Sequence, residues 1–326
     1  MAYDIDLRAG QHYPAMWSEF QAWFPDDAAC RRYLERLRWP EGFVCPACGS
    51  TQAWRTSSDL WLCRGCSRRT SVTAGTILDK TRTPLTTWFA AAWYITNQKL
   101  GVSALGLQRV LGFKSEQTAW TMLHKFRRAM VRPDRDRLTG EVEVDETYVG
   151  GISRGGKRGR GAERKLIVAI AVELHEPKGF GRVRMRHVPN VQGTSLVPFV
   201  CAVVESGSLI RTDGHNAYDA LPSHGYHRKK FILSASDTPA HMSMPAVYRV
   251  ASLLKRWLLG THQGSVHAEH LQSYLEEFTF RFNRRRSRPT WPALLPPHPA
   301  SARHASGTLQ GHHRQALTPI SCSHFS

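Results

Sequence analysis

Residues 140–151 read GEVEVDETYVGG, and the class of the fold turns on them. Val142 and Val144 alternate with polar residues, the period of two that marks a half-buried β-strand. On such a strand Glu143 and Asp145 share one face while Glu146 points the other way. A strand that looks built for the interior therefore ends on paired carboxylates, Asp145 and Glu146, and then on Gly150 and Gly151. A second isolated acid closes a later apolar run, SLIRTDGHNAYDAL, where Asp213 follows Ile210, Arg211 and Thr212. Taken singly, each acid reads better as a turn cap. Taken together, adjacent strand ends of an α/β sheet bring such carboxylates side by side, and bound divalent cations relieve their repulsion. Oxygen ligands with open positions suit Mg²⁺ or Mn²⁺. Two such ions, about 3.5–4 Å apart, activate a water or a 3′-hydroxyl and stabilise the leaving oxygen of a phosphodiester.

Working outward, the pattern predicts strands over 142–148, 166–174, 182–188 and 208–212, with helices over 195–205, 246–259 and 267–281. Strands and helices mixed in this way indicate an α/β domain over 138–287. Upstream, helical spacing predicts a helix over 25–37 capped by Asp26 or Asp27, inside an N-terminal helical segment, 1–40. A further helical segment, 81–135, is broken at Gly101 and Gly112, with Ser103 and Ser115 as N-caps. The tail, 288–326, is rich in Pro, His and Ser, holds no acid and shows no periodicity. It reads as disordered, and equally as the product of a frameshift.

The chain has 44 Lys and Arg against 26 Asp and Glu, a net charge of +18 over 326 residues. Such a balance favours a polyanionic partner, nucleic acid above all; a merely solvated basic surface is the other reading. No apolar run approaches the ~20 residues of a membrane span, and MAYDIDLRAG lacks the apolar core of an export signal. A cytoplasmic location without membrane contact is expected, and in that reducing compartment cysteines serve as metal ligands or free thiols.

Four cysteines form two Cys-x-x-Cys pairs, CPAC with Cys45 and Cys48, and CRGC with Cys63 and Cys66. Two such knuckles around a short hairpin are a strong zinc-ribbon signature, placed at 41–80, and four thiolates close a tetrahedron around one structural Zn²⁺. TQAWRT and DLWLC are the expected hairpin strands. Cys30, Cys201 and Cys322 have no such partner in sequence. Arg64, Arg68 and Arg69 beside the second knuckle either touch phosphate or lie in solvent.

SALGLQRVLGFKSEQTAWTMLHKFRRAM, 103–130, reads as helix, turn, helix, with the turn at 112–115. Leu105, Val110, Leu111 and Phe113 are expected to pack on Ala119, Met122, Leu123 and Phe126. The second helix carries Gln117, Thr118, Thr121, His124, Lys125, Arg127 and Arg128. That mix suits a recognition helix in a DNA major groove, although pattern alone also fits an ordinary helical hairpin.

The stretches FVCPACGS, WLCRGCSRRTSVTAGTILDKTRTPL, VEVDETYVGG, IRTDGHNAY, ASLLKRWLLGTHQG and HLQSYLEEFTFRFNRR together resemble a DDE-type insertion-sequence transposase of the ISXO-type group. The resemblance covers about 33–286 and implies a zinc ribbon followed by a ribonuclease-H-like mixed sheet with flanking helices, with a helix-turn-helix-like segment between them. It implies catalytic carboxylates at Asp145 and Asp213 holding two Mg²⁺ (or Mn²⁺) ions, and a third ligand on a later helix, usually Glu, with Asn or His in some branches. It further implies a basic residue seven positions on, Lys255. The third position here is Tyr248, a poor metal ligand because phenols titrate near pH 10; Asp237 and His241 lie nearby in sequence. The implied activity is cleavage and joining of DNA at element ends, with terminal inverted repeats and target DNA as partners and a homo-oligomer assembled on DNA. The alternative is a catalytically inactive DNA-binding remnant or repressor of related transposases. In this setting the loop 153–165, with Lys157, Arg158 and Arg160, and the pair Lys255 and Arg256 are further candidates to grip phosphate.

Overall fold

The computed structural model describes residues 12–98, 100–131, 135–150, 165–175, 179–231, 243–263, 266–286 and 294–295. Up to residue 286 the chain falls into two compact units, 1–133 and 134–286.

The N-terminal unit starts with helices α1 (Trp17–Trp23) and α2 (Asp27–Arg38). Asp26 caps α2, accepting from Ala29 N at 2.7 Å. A three-stranded antiparallel sheet follows: β1 (Ala53–Arg55), β2 (Trp61–Cys63) and β3 (Arg69–Thr70). Helices α3 (Leu85–Asn97), α4 (Ala104–Leu111) and α5 (Glu116–Ala129) complete the unit. Pro84 gives α3 no side-chain cap, and Asp27 from α2 supplies it by accepting from Leu85 N and Thr86 N at 3.1 and 3.0 Å. Ser103 and Ser115 cap α4 and α5, and Gly112 ends α4 in the left-handed region at φ +69. The core is aromatic, with Phe24 set edge-on against Tyr33 and Phe89.

One packing expectation fails here. Leu105 and Val110 are 42% and 53% exposed, and Leu107 is the α4 residue that enters the core. Leu105 and Leu107 stand on roughly opposite sides of the helix, and on eight residues the pattern left the face ambiguous.

The C-terminal unit is a five-stranded mixed sheet. Its strands are β4 (Glu141–Val149), β5 (Leu166–Leu174), β6 (Phe180–Val188), β7 (Leu209–Asp213) and β8 (His227–Phe231), in the order β6-β5-β4-β7-β8. β4, β5 and β6 run antiparallel, whereas β7 pairs parallel to β4 and β8 parallel to β7. Helix α6 (Gly193–Val203) makes the crossover from β6 to β7, and α7 (Pro245–His262) and α8 (Ala268–Asn283) follow. This is the ribonuclease-H-like arrangement. Leu196, Phe199 and Val200 of α6 pack with Val142, Val144 and Ile210 on one face of the sheet. Val250, Leu254 and Trp257 of α7, with Leu271, Leu275 and Phe278 of α8, cover Val168, Ile170 and Val172 on the other.

The edge strand β6 is covered by side chains of α8. Asn283 accepts from Val183 N at 2.7 Å and donates to Val183 O at 3.2 Å, and Gln272 accepts from His187 N at 3.0 Å. Those hydrogen bonds occupy backbone groups that would otherwise template a foreign strand.

Glu173 on β5 accepts from Arg182 Nη2 at 2.7 Å and from Thr139 N at 3.1 Å. Burial alone would raise its carboxyl, but the Arg182 guanidinium and the backbone amides of Thr139 and Arg182 (the latter at 3.2 Å) hold it down at about 2. A carboxyl depressed on folding stabilises the fold above its unfolded value near 4.5, and that contribution drains away as pH falls toward about 2. Replacing Glu173 by Gln is expected to remove on the order of 2–3 kcal/mol at pH 7 and almost nothing at pH 2. Urea midpoints of the two proteins across that range test it.

Candidate functional site

β4 and β7 run side by side with Val142 opposite Ile210 and Glu143 opposite Arg211. Asp145 and Asp213 each lie two residues beyond the last paired rung, Glu143 opposite Arg211, on these adjacent strands. Val142, Val144 and Ile210 enter the core under α6, so the alternation of the strands turns Glu143, Asp145, Arg211 and Asp213 toward α7. Each aspartate is steadied by its own chain. Asp145 Oδ1 accepts from Glu146 N at 2.8 Å and Asp213 Oδ1 from His215 N at 2.9 Å.

The rung beneath the aspartates explains why a core strand tolerates them. Glu143 is fully buried, and its Oε2 accepts from Ala246 N and Val247 N at 2.8 and 2.9 Å, the first amides of α7. A carboxylate there meets the positive end of the helix dipole. Its Oε1 faces Arg211 Nε at 4.0 Å. Arg211 also donates to Glu141 Oε1 at 3.2 Å and to Ser243 O at 2.7 Å, and stacks over Phe231. Burial raises the Glu143 carboxyl, and the two helix amides and Arg211 draw it back. The Glu143–Arg211 pair thus moors the start of α7 to the strands that carry Asp145 and Asp213. Glu143→Ala is expected to cost about 2–3 kcal/mol, because it leaves two buried helix amides unmet, while Arg211 keeps Glu141 and Ser243 O as partners. Glu143→Gln, which still accepts a hydrogen bond, should cost markedly less in the same urea titration.

Helix α7 presents Tyr248 and Lys255, separated by two turns or about 10 Å along its axis. Partial burial, and then the charges of Asp145, Asp213 and Glu146, push the Tyr248 phenol above its ordinary value. The phenol is therefore protonated at neutral pH and offers no anion. Partial desolvation and the ammonium of Lys165 lower Lys255, while Asp145 pulls it back up. Asp145, Asp213, Tyr248 and Lys255 thus belong to one electrostatic neighbourhood. Arg256 is exposed on the same helix.

Two more residues stand at this site. Tyr218, fully buried, donates to Glu146 Oε2 at 3.1 Å. Burial, then Glu146 and Asp145, hold that phenol well above its usual range. The sequence showed Glu146 pointing away from Asp145 but held no sign of the tyrosine waiting on that side. His215, two residues after Asp213, has a buried Nδ1 without a hydrogen-bond partner among the described residues.

In the N-terminal unit the four cysteines converge, their sulfurs all within 4.8 Å of one another. Cys45 Sγ lies 3.6 Å from Cys66 Sγ, and Cys48 Sγ 3.5 Å from Cys63 Sγ. The two knuckles are built alike. Gly49 N donates to Cys45 O and Ser67 N to Cys63 O, and both turns close through a left-handed residue, Gly49 at φ +76 and Ser67 at φ +56. Four sulfur ligands in this spacing fit zinc and leave no coordination position for a substrate.

The basic residues sort unevenly. Lys125 sits over the Trp88 ring at 5.5 Å and Arg128 is exposed. Arg127 departs from the recognition-helix expectation: it is 3% exposed, turned inward from α5. Lys157, Arg158 and Arg160, with Asp237 and His241, lie outside the described residues. Cys30 is buried, and burial with Asp27 and Asp26 beside it raises its thiol to about 12, so it is chemically quiet.

Two family models match the chain. Residues 137–283 match the ISXO2-like transposase domain, and residues 25–69 match the transposase zinc-ribbon domain. The chain is also similar to an uncharacterized protein in transposable element ISH50 of Halobacterium salinarum, 29% identical over 283 residues, covering 79% of this chain and 91% of that protein.

Proposed function

Because the chain belongs to the ISXO2-like transposases, we propose that it cleaves and joins DNA at insertion-sequence ends by DDE-type phosphodiester chemistry. What supports the reading is the parallel pairing of β4 with β7, the strands that carry Asp145 and Asp213, together with the influence of both carboxylates on Tyr248 of α7. Two carboxylates so placed are the oxygen donors that a hard divalent cation takes, and Asp145 and Asp213 are the residues that would hold Mg²⁺ or Mn²⁺. Two such ions, when bound, activate the attacking hydroxyl and stabilise the leaving oxygen.

The rest is done by the chain itself. Glu143 and Arg211 fix α7 relative to the carboxylates. Lys255, two turns beyond Tyr248, holds a backbone phosphate beside the cut. The partners are terminal inverted repeats and target DNA, and holding two ends at once calls for more than one copy of the chain. Among the described residues no helix is long and apolar enough to cross a membrane.

Tyr248 is the departure within this scheme. A protonated phenol gives the third ligand position no charge, so the chain as it stands is a weak catalyst. Tyr248→Glu is expected to strengthen Mn²⁺ binding and strand transfer by about 10- to 100-fold, with Tyr248→His intermediate. The assay is strand transfer of labelled element-end duplexes with Mg²⁺ or Mn²⁺. DNA binding without transfer in all three proteins would instead establish the inactive-remnant reading.

A further inference from the structure

A second feature of the N-terminal unit concerns how the protein seats on DNA. The segment that joins the ribbon to α3 carries Lys80, Thr81, Arg82 and Thr83. It lies across a cleft from α5, and residues 80–83 and 117–125 form its walls around a volume of about 290 Å³. Three cations line it, Lys80 and Arg82 from the segment and Lys125 from the helix, and no carboxylate does. The remaining polar wall is hydroxyl and amide: Thr81, Thr83, Gln117, Thr118 and Thr121.

The segment is held in shape. Thr81 Oγ1 accepts from Trp88 Nε1 at 2.8 Å and from Thr83 N at 3.1 Å, which pins the chain between the two exposed cations. Lys80 itself takes a left-handed φ of +53, a conformation that a lysine adopts only at a cost. Lys125 is partly buried against the Trp88 ring, where burial and Arg128 lower its affinity for a proton and Asp79 restores part of it. Three like charges around one concavity, offset in part by Asp79 near Lys125, favour the entry of an anion.

We propose that this cleft seats a phosphate of the DNA backbone, so that the exposed face of α5 with Gln117, Thr118 and Thr121 is laid into the adjoining groove. The proposal rests on the transposase reading for its choice of DNA as the anion. Phosphate contacts set register and orientation, while side chains in the groove read bases. Lys80 and Arg82, which precede α3, become the positioning contacts for a helix whose own Arg127 is turned inward.

The test uses the full zinc-loaded chain and a random-sequence 30-base-pair duplex, with affinity followed by anisotropy between about 50 and 200 mM salt. Lys80→Ala/Arg82→Ala is compared with Arg32→Ala/Arg36→Ala, which removes the same charge from α2. Zinc content and far-UV circular dichroism confirm that each folds. The expected result is that the first variant flattens the slope of log K against log salt by about 0.9 for each phosphate it no longer neutralises, and binds at least several-fold more weakly, while the second matches the parent. Equal weakening in both variants, or none in either, would overturn the cleft. A parent protein that fails to bind duplex at all would instead bring down the DNA reading itself.

Discussion

Stripping the zinc, or replacing Cys63 by Ser, is expected to unfold the ribbon while the 134–286 unit keeps its structure. The ribbon strands are three, three and two residues long, far below what a sheet needs to stand alone. Its apolar content is a small aromatic cluster in which Trp61 stacks on Phe43 at 5.2 Å and Trp39 meets Phe43 at 4.8 Å. Structural zinc contributes about 10–16 kcal/mol of apparent binding free energy in comparable small motifs, more than any other single interaction in the ribbon. Glu35 of α2 ties the hairpin down by accepting from Trp61 Nε1 at 3.2 Å and pairing with Arg55. Removal of the metal should therefore release Trp61 into solvent. One zinc per chain by elemental analysis, and a red shift of tryptophan emission on chelation, are the expected readings. Emission unchanged after complete removal of zinc would show that packing, not metal, holds the ribbon.

Asp145→Asn and Asp213→Asn carry the second large effect. Each is expected to lower strand transfer by on the order of 10²–10³ and to leave duplex binding intact. The structural reason is the rung below. Glu143 and Arg211 set opposite charges across β4 and β7, whereas the residues two further along each strand, Asp145 and Asp213, are both acids. A fold that selected only for stability would not place the second pair there. Neutralising one aspartate should therefore stabilise the apo protein slightly while removing activity, the reverse of what Glu143→Ala does.

Much of this was legible in the sequence, for identifiable reasons. Cap residues announced their helices: Asp26, Ser103 and Ser115 each accept the expected backbone donor. Strand β4 declared itself by its alternation, and β5, LIVAIAVEL, by a short continuous apolar run. What escaped had weak or misleading signals. β8 reads HRKKF, a charged edge strand with nothing of the alternation that marks a buried one. α1 is only seven residues long, too short for periodicity to register. Arg127 looked like a surface cation because composition says nothing of which side of α5 it occupies.

The two acids were visible at strand ends, but that their strands lie side by side is set by the parallel pairing of β4 with β7, a tertiary fact. Glu143 shows the same limit. Its place beside Asp145 was apparent, yet its role depends on two amides more than a hundred residues away. No spacing rule reports that hydrogen bonding.

The central claim is that Asp145 and Asp213 ligate the same cations. Calorimetric titration of Mn²⁺ into the zinc-loaded chain, its two single Asn variants and the double variant tests this directly. Shared ligation predicts that either substitution alone removes most of the binding and that the double variant binds little worse. Independent, additive effects, or an Asp213→Asn protein that binds Mn²⁺ as the parent does, would contradict it.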